Sequence, residues 1–286
     1  MILQEKTVRI SLCILHKESR RFNEKTCFND EILLKIEKPA RYIGGEYNSV
    51  MKDPEKVDVR FAMCFPDVYE IGMSHLGIQI LYDMFNRRED VWCERVYSPW
   101  VDLDKVMREE HIPLFALESQ DPVKEFDFLG ITIQYEMCYT NILQILDLSG
   151  IPLHAKDRTE DDPIVIGGGP CTYNPEPIAE FFDMFYIGEG ETVYDQLLDI
   201  YKENKKNGGS RWDYLAKAAE VEGIYVPAFY DVTYKEDDGN VTPIGVKIGL
   251  FQFTNPSGLE KLGGNYLAET DASGIALNED ADAVGK

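Results

Sequence analysis

Between residues 57 and 204 the apolar positions switch repeatedly between two spacings. Val57–Phe65 (VDVRFAMCF) has the length and composition of a strand, and Leu76, Ile80, Leu81, Met84 and Phe85 follow at helical spacing. Val91–Tyr97 predicts a second strand and Asp102–Glu110 a helix. Phe128–Ile133 (FLGITI) reads as a strand buried on both faces, and Met137–Leu148 as a helix with one apolar face. Pro163–Ile166 is a short buried strand that runs straight into three glycines. Met184–Ile187 is another, followed by Gly-Glu-Gly-Glu and the helix Thr192–Asn204. Strands that alternate with helices need crossover connections, so the pattern predicts an α/β domain with a doubly wound, mostly parallel, five-stranded sheet.

The flanks are less regular. Residues 1–56 form a lead-in in which 1–30 show no period, while Glu31–Asp53 reads as ordered chain. After the domain at 57–204, Lys205–Ser210 (KKNGGS) has linker composition, Arg211–Val221 is helical, and Ile224–Tyr234 makes one or two edge strands. Together these give a helix and edge-strand linker region at 205–255. From 256 to 286 large apolar residues become scarce, which predicts a disordered tail.

Composition narrows the partners. The 286 residues carry 51 acids against 29 bases, a formal charge of -22, which opposes binding to nucleic acid or anionic membrane. No apolar run has membrane-spanning length, and the first residues lack the basic-then-apolar order of a signal peptide. The six cysteines form no C-x-x-C pair and none lies at zinc spacing from a His. They read as small buried hydrophobes of a cytoplasmic protein, and no metal ligand or catalytic residue is assigned.

In a doubly wound sheet ligands sit beyond the carboxyl ends of the strands. The first such loop holds Asp67, Tyr69 and Gly72, with His75 at the start of the next helix. The second holds Thr132 and Gln134, which share a face and either bind a ligand or cap a helix. The third is Gly167-Gly168-Gly169, whose missing side chains suit a backbone lying against a ring, ribose or phosphate. The fourth is Gly188-Glu189-Gly190 before a helix, where glycines allow close approach and the acids suit a helix start. Neither the dinucleotide fingerprint nor the phosphate loop is present.

In order, these loops resemble cobalamin-binding domains, which carry Asp-x-His-x-x-Gly after the first strand, Ser-x-Leu later and Gly-Gly after the fourth. Asp67–Gly72 matches the first with Tyr69 in place of His, Thr132-Ile133-Gln134 stands where Ser-x-Leu would be, and Gly167-Gly168 matches the third. The stretch GGGPCTYNPEPIAEFFDMFYIGEGE, the leader EKPARYIGGEYN and FPDVYEIGMSHLGIQIL are similar to the cobalamin-binding part of radical SAM proteins of an uncharacterised subfamily. The resemblance implies a Rossmann-like, flavodoxin-type domain and cobalamin held by Asp67, Tyr69, Gly72, His75, Thr132, Gln134, Gly167–Gly169 and Gly188–Gly190. It implies cobalt without a protein His ligand.

A [4Fe–4S] cluster and S-adenosylmethionine belong to the full-length family only. The three-cysteine C-x-x-x-C-x-x-C motif that holds such a cluster is missing here. The sequence is therefore expected to be the cofactor-binding part of a longer protein, not catalytic alone, with the radical SAM domain downstream or on a separate chain. Two other readings are a non-enzymatic interaction domain of the same fold, and a flavodoxin-like binder of another nucleotide.

Overall fold

A computed structural model describes residues 30–237, 240–248, 268–270 and 276–277. Five parallel strands form the centre: β1 (Val59–Phe65), β2 (Val91–Tyr97), β3 (Phe128–Thr132), β4 (Ile164–Gly168) and β5 (Met184–Tyr186). The expected five-stranded sheet is corrected to six. β6 (Ile224–Tyr225) adds antiparallel to β5, and the order is β2-β1-β3-β4-β5-β6. The sequence reading placed one or two edge strands at Ile224–Tyr234, and β6 is the first of them; two residues are too few for a period to show that it joins the main sheet.

Helices cover both faces. α1 (Leu76–Arg87), α4 (Tyr194–Lys206) and α5 (Arg211–Ala218) lie on one face, and α2 (Val101–Glu110) and α3 (Tyr139–Ser149) on the other. Alternation along β1 feeds the two cores: Phe61, Met63 and Phe65 enter the α1 side, Ala62 and Cys64 the α3 side. In α1 the deeply buried stripe is Ile78, Tyr82 and Phe85, whereas Leu76 and Ile80 stay exposed. Tyr82 turns the helix this way because its hydroxyl accepts from the Val50 amide at 2.7 Å, tying the lead-in to the domain.

The lead-in and the region after 204 both join this body. Ile36 and Tyr42 are buried in the α3-side core, and Tyr214, Leu215 and Ala218 of α5 in the α1-side core. A separate antiparallel sheet has the order β10-β9-β8-β7, from β7 (Tyr230–Asp237), β8 (Asn240–Ile248), β9 (Ala268–Thr270) and β10 (Ala276–Leu277). Thus two pieces of the stretch expected to be disordered are strands. The rest of it, and residues 1–29, lie outside the described residues.

The edge strand β2 is covered by residues 114–121, and a buried acid holds the cover. Glu94, fully buried, accepts from Arg60 at 2.6 Å and from the Ser119 amide at 2.8 Å, while Arg60 also meets Asp121 at 2.9 Å. Glu118, Asp121 and Arg95 stand around it, and burial outweighs the pull of Arg60 to raise its carboxyl from 4.5 to about 7. The folded chain then keeps a proton that the unfolded chain releases, so stability falls as pH rises from 4.5 to 7, by up to about 3 kcal/mol. Buried Glu118 acts in the same direction. Asp90, held low chiefly by Arg88, acts the opposite way but only below its unfolded value of 3.8. Denaturation midpoints measured across this window should decline with pH, and Glu94→Gln should flatten the decline; an equal slope in both proteins would contradict the assignment.

Candidate functional site at the strand ends

The strand order reverses between β1 and β3, since β1 leads outward to β2 and every later strand is added beyond β3. At such a switch point the loops diverge and leave a crevice above the sheet. Asp67 follows β1 at this point. Its Oδ1 accepts from the Val68 amide at 2.7 Å, its carbonyl accepts from Ser98 at 3.0 Å, and Asn141 holds the preceding Pro66 carbonyl at 2.9 Å. From the loop after β3, the Tyr135 hydroxyl donates to Asp67 Oδ2, and that bond, with burial, pushes the phenol up to about 12. The structure therefore joins the first two sequence loops directly.

Tyr69 and His75 face other duties. The Tyr69 hydroxyl donates to Glu46, its ring packs edge-on against Tyr97 at 5.4 Å, and burial and Glu46 raise it to about 12. His75 caps α1, its Nδ1 accepting from the Ile78 amide at 3.3 Å. A Cβ on Gly72 would stand 2.5 Å from the Tyr97 ring, so close packing accounts for that glycine. Thr132 and Gln134 bond each other, Gln134 donating to Thr132 Oγ1 at 2.7 Å.

The three glycines separate into two kinds. A Cβ on Gly167 would meet the buried Phe185 ring at 2.6 Å. Gly169 has φ +95° and lies against the Ile133 backbone, where a Cβ would stand 2.9 Å from the carbonyl oxygen. Only Gly168 is free of such constraint, its nearest neighbour being the Tyr194 hydroxyl at 3.6 Å. In the fourth loop the Tyr186 hydroxyl donates to the Glu189 carbonyl at 2.8 Å and approaches Gly188, and Gly190 packs on Leu81.

Glu46 was missed by sequence reasoning, although it lies in the leader segment. It pairs with Arg95, which Glu118 holds at 2.7 Å, and so anchors Tyr69 to the β2 edge. Among the described residues no group of three His, Cys, Asp or Glu side chains is placed to hold a metal ion, and Cys64, Cys93 and Cys138 are free and buried. Burial pushes their thiols up. These residues do not fit a [4Fe–4S] cluster. No helix among the described residues is long and apolar enough to cross a membrane.

An uncharacterized protein of Methanocaldococcus jannaschii is 31% identical over 167 residues, which cover 57% of this chain and 31% of that protein. The chain thus spans about a third of the length of the curated relative it matches. A family model described as radical SAM proteins, N-terminal, matches residues 77–227, from α1 through β2–β5 to just beyond β6, with β1 ahead of the matched region. The chain belongs to this radical SAM N-terminal family.

Proposed function

We propose that the domain is the cobalamin-binding module of a radical SAM protein, a binding part that leaves the radical chemistry to a domain downstream or on a separate chain. The observation that carries this is the convergence of Asp67, Thr132 and the open glycine, Gly168, on the carboxyl ends of β1, β3 and β4, around the reversal in strand order. Gly168 gives a flat macrocycle backbone to lie against, and Asp67 and Thr132 offer acceptors beside it. Bound cobalamin would supply a cobalt centre able to carry an alkyl group. With His75 spent on its helix and Tyr69 on Glu46, these two residues leave the cobalt without a protein ligand.

Titration of the purified protein with hydroxocobalamin, followed in the visible spectrum, is expected to show saturable binding at micromolar concentration. No binding there would sink the proposal. A second reading, a non-enzymatic interaction domain, is favoured by the Tyr135–Asp67 bond at the crevice and by exposed Met137 and Tyr173 beside it. It predicts a silent titration.

A further inference from the structure

Away from the strand ends, the connection between α4 and α5 combines a reactive dipeptide with a turn that restrains it. Of all the asparagines in the sequence, only Asn207 is followed by glycine. An asparagine side-chain amide can be attacked by the backbone nitrogen of the next residue, and a side chain on that residue hinders the approach. Gly208 has none. It stands at φ +68°, and a Cβ there would meet nothing within 4 Å, so the space around it is open. Asn207 is exposed, and among the described residues its side chain makes no hydrogen bond. Other asparagines of the domain lack one of these features. Asn86 spends its side chain on Cys93, Asn141 on the Pro66 carbonyl and Asn204 on the Ser210 carbonyl. Asn174 precedes Pro175, which has no N–H, and exposed Asn48 precedes Ser49.

The turn holds the attacking nitrogen. The Gly208 amide donates to the Lys205 carbonyl at 3.1 Å, and the Asn207 amide closes the last turn of α4 onto Glu203 at 3.1 Å and Asn204 at 3.2 Å. Gly209 donates to the Asn204 carbonyl at 2.9 Å and lies so close to the Asn204 side chain that no Cβ would fit. Attack therefore waits until the end of α4 frays, an opening that helix termini make at low cost.

We infer that Asn207 is a self-modification site gated by the last turn of α4. Once the turn opens, the Gly208 nitrogen bonds to Asn207 Cγ, and its proton leaves with the side-chain amide as ammonia, giving a cyclic succinimide. Water then opens the ring at either carbonyl. The product is aspartate or, with the backbone rerouted through the side chain, isoaspartate. One water is taken up and one ammonia released, with no oxidant or reductant. The new negative charge lies at the C-terminal end of α4, where the helix carbonyls disfavour it, beside Lys205 and Lys206. Isoaspartate also adds a backbone methylene ahead of Gly209 and of Ser210, whose side chain closes the capping box of α5.

The test incubates the full chain in mildly alkaline buffer, folded and in urea, with an acidic buffer as control, and follows each asparagine by peptide mass mapping. In the folded protein Asn207 is expected to convert first, about tenfold faster than Asn48, with isoaspartate the main product. It should react about tenfold more slowly than in urea, where no turn holds Gly208. Aged wild-type protein should show a lower denaturation midpoint than fresh protein. Asn207→Gln should keep the fresh midpoint and lose the effect of ageing. Conversion of Asn48 before Asn207, or no conversion of Asn207 in the folded protein while the urea sample reacts fully, would overturn the site. Equal rates in the two states would overturn the gating by the turn.

Discussion

Replacing Asp183 with Ala should cost about 3–5 kcal/mol of folding stability, because it strips the counter-charge from two buried arginines at once. Asp183 lies at the start of β5, away from the ligand edge. Its Oδ2 accepts from Arg158 at 2.8 Å, from Arg211 at 2.6 Å and from the Val165 amide at 2.7 Å. All three charged side chains are buried. Other guanidinium hydrogens go to backbone carbonyls: Arg158 to Pro152, Leu153 and Phe181, and Arg211 to Asp162 and Pro163. One carboxylate oxygen therefore fastens the chain before β4, β4 itself, the start of β5 and α5 together. Asp183→Asn keeps the shape but not the charge and should fall between wild type and Asp183→Ala. Urea denaturation at neutral pH measures both; a loss under about 1 kcal/mol for Asp183→Ala would mean that the arginines find other partners or water.

The glycine run gives the second large effect, and it divides packing from binding. Gly167→Ala drives a methyl to within 2.6 Å of Phe185, a fully buried ring that also packs on Phe182 at 4.7 Å, so the core must shift at about 1–3 kcal/mol. Gly169→Ala adds a methyl against the Ile133 carbonyl at a positive φ, with a cost of similar size, about 1–3 kcal/mol. Gly168→Ala meets only the Tyr194 hydroxyl at 3.6 Å, an ordinary contact, and should leave the denaturation midpoint nearly unchanged. The same substitution places a methyl on the one open glycine of the run and should weaken corrinoid binding about tenfold. Equal destabilisation by all three would remove the distinction.

These two sites show how far the sequence could be read. The parallel strands were legible because β1, β3 and β4 are apolar and are punctuated by Asp, Thr and Gly at their carboxyl ends, the edge where ligands sit. The helices were legible in extent, but α1 faces inward through Ile78 and Tyr82, because an aromatic hydroxyl bonded to the lead-in outweighed Leu76 and Ile80. The Gly-Gly-Gly run advertised a missing set of side chains without saying what filled the space. Phe185, 18 residues on, takes up one face, and the Ile133 backbone another. Asp183, Arg158 and Arg211 sit far apart in sequence, and each alone looks like a surface charge. Tyr135 and Glu46 were invisible as partners for the same reason: contacts between residues 67 and 135, or 46 and 69, depend on how the loops meet, and no local period encodes them.

The central claim is that the reversal point between β1 and β3 is a corrinoid site. Amide chemical shifts recorded while hydroxocobalamin is added test it most directly, since they report both binding and place. The account predicts saturable shifts concentrated on Asp67–Gly72, Thr132–Tyr135 and Gly168, with the Asp183 region unmoved. Shifts confined to another edge, or no shifts at millimolar cofactor, would contradict it.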